Sequence, residues 1–148
     1  MPILLIFYGK EKKDDFIKFI INNTNKNQLA QREILKYIPK MTVTFGEEPL
    51  NGYIIPCLEM LIINNSNELK ILELINTILT LFKSDFLTKE RTIDFFIKLL
   101  PYLVHPNLRI RNKMLEFSKE LLLKMNNNEV YFYLFDPMKN FYIVMDLI

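Results

Sequence analysis

The sequence predicts an all-α fold built from stacked helical repeats, and three observations carry that prediction. The 148 residues are 50% hydrophobic, with three glycines and no tryptophan. Rich in Ile, Leu, Lys and Asn, this composition favours helices and lacks the turn residues that many short strands need. Apolar residues recur at spacings of three and four, which line one face of a helix. The phrase IINNTN at residues 20–25 returns as IINNSN at residues 62–67, a displacement of 42.

A further shift of 41 lays Ile63, Asn64, Leu69 and Lys70 over Val104, His105, Ile110 and Arg111, so LLPYLVHPNLRIRN becomes a third copy. The period lies inside the roughly 40–47 residues of HEAT and armadillo repeats. The expected architecture is a single-domain α-solenoid of about three HEAT-like units, at residues 11–46, 48–85 and 88–126. Residues 1–9 read as the end of a preceding unit and 127–148 as the start of a following one. Because a freestanding solenoid closes with polar caps, the apolar ends predict a fragment of a longer protein.

Each unit should be one apolar helix, a short polar turn, and a second helix returning against the first. In the first unit Phe16, Phe19 and Ile20 precede the turn, and Ile34, Leu35 and Ile38 follow it. In the second, Ile54, Ile55, Leu58, Leu61 and Ile62 mark the first helix, with Leu72, Ile75, Leu79 and Phe82 on the return. In the third, Ile93, Phe96, Ile97 and Leu100 lead to Val104, and Ile110, Met114, Phe117 and Leu121 form the return face. Ser66 or Asn67, Thr88 and Asn107 stand where a side-chain oxygen can accept from the first free amides of a helix. Pro106 suits a turn or first-turn position, whereas Pro56 and Pro101 should bend the first helices of units two and three.

The candidate chemistry is sparse. His105 is the sole histidine, and neither a second histidine nor a cysteine cluster accompanies it as a metal or base partner. A turn hydrogen bond is the expected role. Arg109 and Arg111 differ by two residues and so point to nearly opposite helix faces; Arg111, matched by Lys70 one unit earlier, is expected to make a contact between repeats. Cys57 is the only cysteine, which excludes an intrachain disulfide and fits a small core residue in a reducing compartment. The glycines Gly9, Gly46 and Gly52 are isolated, so no phosphate-cradling loop is expected. The segment GKEKKDD reads as a solvated connection. The aromatic run in EVYFYLFDPMKNFYIV reads as core or repeat-to-repeat packing rather than a base-stacking platform. A net charge of +2 with interspersed signs argues against nucleic acid as a partner. No apolar run approaches the roughly 18–20 residues of a membrane span. Catalytic, cofactor and metal sites are all expected to be absent.

The third unit also resembles a known family. Pro101, Tyr102, Leu103, His105, Pro106, Asn107, Leu108, Ile110 and Arg111, then Val130, Tyr131, Leu134, Asp136 and Pro137, are similar to the helical-repeat region of the regulatory, protein-kinase-like subunit of class III phosphatidylinositol 3-kinase. Tyr8, Gly9, Lys10 and Asp15 resemble a second block of that family. Arg109 stands where the family usually has Trp, and Asp14 where it has an amide. The resemblance implies a non-catalytic scaffold between a kinase-like domain and a propeller. It further implies protein partners, a lipid kinase catalytic subunit and a beclin-like subunit, acting in endosomal sorting and autophagy. The expected location is cytoplasmic, with membrane contact only indirect, through the complex. The competing readings are a HEAT fragment of another adaptor or transport receptor, and a helical accessory domain of a larger kinase.

Overall fold

A computed structural model describes residues 28–63 and 67–139. The described residues are mostly helical and include no strand. Phe16, Phe19, Ile20, the IINNTN copy, Gly9, Lys10 and the end segments lie outside the described residues, as do Asn64, Asn65 and Ser66 of the second copy. The chain divides into two compact units, Met1–Thr77 and Ile78–Ile148.

In the first unit, α1 (Gln28–Phe45) buries Leu35, Ile38 and Met41. It ends at Gly46, whose φ of 85° is a left-handed conformation that glycine adopts without a Cβ penalty. The Gly46 N–H donates to the Thr42 carbonyl at 2.9 Å, closing the last turn. The chain then runs through α2 (Glu47–Pro49), a π-helical segment (Leu50–Ile54) and α3 (Ile55–Ile63). Ile54, Ile55, Leu58 and Leu61 are buried as their spacing predicts, with Ile62 half-buried. Next comes α4 (Glu68–Lys83), whose first amides meet the Asn67 side chain, with Leu69 N donating to Asn67 Oδ1 at 2.9 Å.

The second unit begins within α4, whose final turn closes in the Schellman manner. Phe86 N–H donates to the Leu81 carbonyl at 3.0 Å and Asp85 N–H to that of Phe82 at 3.1 Å. Then follow α5 (Lys89–Leu99), a 3₁₀ turn (Leu100–Val104) and α6 (Leu108–Lys124). Thr88 caps α5 by accepting from Arg91 N, and Asn107 caps α6 by accepting from Arg109 N at 2.9 Å. A capping box of Asn126 and Glu129 opens α7 (Asn127–Glu129), which passes into a second π segment, Val130–Phe135. Helix α5 packs against α6 and touches the second π segment. Phe96 meets Phe117 edge-on, with ring centroids 5.3 Å apart, and each fully buried phenyl contributes about 1.5–3 kcal/mol of transfer free energy. Ile110, Met114, Phe117 and Leu121 are buried, whereas Ile97 is turned outward and Phe95 and Leu99 take its expected place.

Helices α4 and α6 begin at Glu68 and Leu108, 40 residues apart, and the same step carries the buried Leu35, Ile38, Met41 and Thr42 of α1 onto the buried Ile75, Ile78, Leu81 and Phe82 of α4. That register differs from the shifts of 42 and 41 suggested by the repeated phrases. It aligns Asn67 with Asn107, Leu74 with Met114 and Leu81 with Leu121, each of the latter two pairs buried. Leu69 is exposed while Ile110 is buried, so the 41-residue shift matched residue types but not helix faces.

The prolines act through the hydrogen-bond ladder. A helical proline cannot donate to the carbonyl four residues earlier, and its ring crowds that oxygen. Pro56 follows one π segment and Pro137 the other, each as the second residue beyond it; the wider π turn gives the crowded carbonyl room. At Pro101 the chain tightens instead, and Leu100 N–H bonds the Ile97 carbonyl that proline leaves orphaned. Pro39 sits inside α1 without breaking it. The Leu35 carbonyl it leaves without a donor accepts from the Thr77 hydroxyl of α4 at 2.8 Å.

Candidate functional site

The polar side chains of this fold gather at helix ends and between return helices. In the first unit, Thr77 is buried with its hydroxyl 2.8 Å from both the Leu35 and Glu73 carbonyls. Lys70, only 4% exposed, donates to Gln31 Oε1 at 3.0 Å. Burial pushes its ammonium below the ordinary lysine range, because removing water penalises the charged form. Both links join α4 to α1 within the unit.

In the second unit, the last turn of α4 meets α6 in the same way. Lys83 bridges to Glu116 at 3.0 Å and to Glu120 at 3.7 Å. Lys124 donates to the Phe82 carbonyl at 3.2 Å and to Asp85 at 2.8 Å, while its ammonium lies 4.4 Å from the Phe82 ring centroid. Hydrogen bonds from Lys113 and then Lys83 hold Glu116 below the ordinary carboxylate range. Glu129 is likewise lowered, first by the Asn126 amide and then by Lys89, whose Nζ lies 3.0 Å from Oε1.

The stretch around the sole histidine forms a closed turn. His105 Nδ1 accepts from Asn107 N at 3.1 Å, its own N–H reaches the Tyr102 carbonyl at 3.3 Å, and Arg111 Nη1 donates to its carbonyl at 3.3 Å. Pro101 occupies the first turn of the 3₁₀ segment, and Pro106 is exposed beside the Asn107 cap. Arg111 therefore bonds within its own turn rather than between repeats. In the 40-residue register its counterpart is Ile71, and the counterpart of Lys70 is Ile110. Lys70 and Arg111 share a charge but not a helix face.

Tyr131, Phe132, Tyr133 and Phe135 are each more than half exposed, with Tyr131 stacked on Phe135 at 5.3 Å. The expectation of packing in the core or between repeats is corrected in its core half for these four residues: in VYFYLF only every third or fourth residue can face one side, and Leu134 and Met138 take the buried face. Phe141 and Tyr142 lie outside the described residues. Asp136 is exposed and Pro137 half-buried. Cys57 is buried, and burial pushes its thiol upward, away from the thiolate form that reacts. Among the described residues no group of three His, Cys, Asp or Glu is placed to hold a metal ion, and no helix is long and apolar enough to cross a membrane.

The links missed by sequence reading, Thr77 to Leu35 and Lys124 to Phe82, join residues 42 apart. Pro39 was the available signal for the first, since a proline inside a helix announces an orphaned carbonyl four residues back. The second had no such mark.

The class so defined is a chain whose described residues are mostly helical, with polar side chains that cap helix ends and link neighbouring helices. A family model described as "PIK3R4-like, middle domain" matches residues 1–147, and the chain belongs to that family. It is also 28% identical over 138 residues to a protein of Candida glabrata described as a non-specific serine/threonine protein kinase. That match covers 92% of this chain and 10% of the relative, so the chain spans about a tenth of the relative's length. No solved structure matches the chain.

Proposed function

We propose that this chain is a non-catalytic scaffold segment, an α-solenoid of about three HEAT-like units, that helps organise a class III phosphatidylinositol 3-kinase complex. The observation that carries the reading is the family match to a middle domain along nearly the whole chain. The 40-residue step from Glu68 to Leu108, which also carries the buried face of α1 onto that of α4, supports the repeat architecture, because stacked units draw stability from their neighbours and present an extended surface. The units are taken as residues 11–46, 48–85 and 88–126, with 1–9 and 127–148 belonging to adjoining units. The partners are a lipid kinase catalytic subunit and a beclin-like subunit, and the setting is endosomal sorting and autophagy in the cytoplasm, at membranes reached through the complex. Gly9, Lys10, Lys70, Pro101, His105, Pro106, Asn107, Arg111, Tyr131, Asp136 and Pro137 serve as repeat-junction or family-motif residues.

Affinity purification of the full-length protein under mild conditions is expected to recover a lipid kinase and a beclin-like subunit. Recovery of transport factors instead would favour the adaptor reading. The relative's description as a protein kinase favours, as a second reading, a helical accessory region of a larger kinase. Phosphoryl transfer that is lost when only residues 28–139 are altered at their surface would support that alternative.

A further inference from the structure

Successive return helices can be compared position by position in the 40-residue register. The fourth, eighth, eleventh and fifteenth residues are Gln31, Leu35, Ile38 and Thr42 in α1, and Ile71, Ile75, Ile78 and Phe82 in α4. Apart from the half-buried Gln31, all of them are buried. In α6 the same positions are Arg111, Leu115, Ser118 and Leu122, and there Leu115 is 41% and Leu122 43% exposed. The stripe on α1 is met by α4, through Lys70 to Gln31 and Thr77 to Leu35. The end of the α4 stripe is met by α6, through Lys124 on Phe82.

The geometry of α6 shows where a next neighbour would lie. At about 100° per residue, Glu116, Glu120 and Lys124, the residues that reach the end of α4, lie opposite Arg111, Ser118 and Leu122. The exposed stripe is thus the side of α6 turned away from the helix before it. General exposure of the helix does not explain this. The sixteenth position is Val43, Lys83 and Leu123 in the three helices and is exposed in all of them, so it separates a solvent position from a stripe position.

We infer that Arg111, Leu115, Ser118 and Leu122 form the docking face for one further return helix of the same longer protein, an amphipathic helix that brings aliphatic side chains against Leu115 and Leu122. One more step of 40 residues from Leu108 places its start near residue 148. The occupant follows from continuity, since the links that reach this stripe at the earlier steps, to Gln31 and Leu35 on α1 and to Phe82 at the end of α4, come from the following helix. The inference rests on the repeat reading above but fails separately from it: a lipid kinase can still co-purify while this stripe proves open.

The test uses the full-length protein carrying Leu115→Cys, Leu122→Cys or, as control, Leu123→Cys, with maleimide labelling read peptide by peptide in the mass spectrometer. Thiols at positions 115 and 122 are expected to label about tenfold or more slowly than the one at 123, as protected core positions do. Equal rates at all three overturn the inference. A photo-crosslinker at position 115 then identifies the occupant: a peptide of the same chain some 40 residues further on supports the inference, and a peptide from a second copy or another protein contradicts it. Melting of each variant within a few degrees of the parent shows that protection is read on folded protein.

Discussion

At the scale of single residues, Asn107 shows what the histidine-containing turn is for. Its side chain accepts from Arg109 N while its backbone amide donates to His105 Nδ1, so the residue both starts α6 and closes the turn before it. Asn107→Ala should cost about 1 kcal/mol of stability by loss of the cap, and Asn107→Asp should retain most of it; thermal melts of the two compared with the parent check this. The cap was legible in the sequence from an Asn before an apolar helical period. The role of Arg111 was not, because a one-residue error in register moves a side chain by about 100° around the helix.

The carboxylates predict the acid limb of stability. Glu116 and Glu129 both have their pKa lowered in the fold. Their contribution is therefore complete above the ordinary carboxylate range and is lost as pH falls through the lower folded values. Replacing both by Gln should flatten the fall of Tm between about pH 5 and pH 3. An unchanged slope would mean that these contacts do not form in solution. Lys83 acts at the other limb: raised first by its hydrogen bond to Glu116, it stabilises below the ordinary lysine range and loses this as pH rises through its folded value.

At the scale of elements, the prolines decide local geometry. Pro39 frees the Leu35 carbonyl inside α1, and Thr77 of α4 supplies the missing donor, so a defect within one helix becomes a link to the next. Thr77→Val should cost about 1–3 kcal/mol, because it leaves a buried acceptor unsatisfied. In a Pro39→Ala background, where an intrahelical N–H is restored, the same change should cost less than half as much. Additive costs in this double-mutant cycle would contradict the link. Helices, caps and most of the core faces could be read from spacing alone. The π segments before Pro56 and Pro137, and the outward turn of Tyr131 and Phe132, could not, because a helical period does not say which side of a bent segment meets the core.

At the scale of the whole molecule, the account joins a family assignment to a repeat register. The family was visible in the His-Pro-Asn-Leu and Asp-Pro blocks, and the match over residues 1–147 agrees with it. The repeat phrases gave steps of 42 and 41, whereas α4 and α6 begin 40 residues apart. Loop phrases drift by insertion, whereas buried helix faces must stay aligned: a step of 40 relates Glu68 to Leu108 and the buried face of α1 to that of α4. The scaffold function is open to a direct measurement: phosphatidylinositol 3-kinase activity in the material that co-purifies with the full-length protein, compared between wild type and Phe117→Ala at equal amounts. Phe117 is fully buried against Phe96, and its loss should cost about 3–5 kcal/mol. The account predicts lipid kinase activity with the wild type and a severalfold loss with the variant. Wild-type protein that purifies without lipid kinase activity would contradict it.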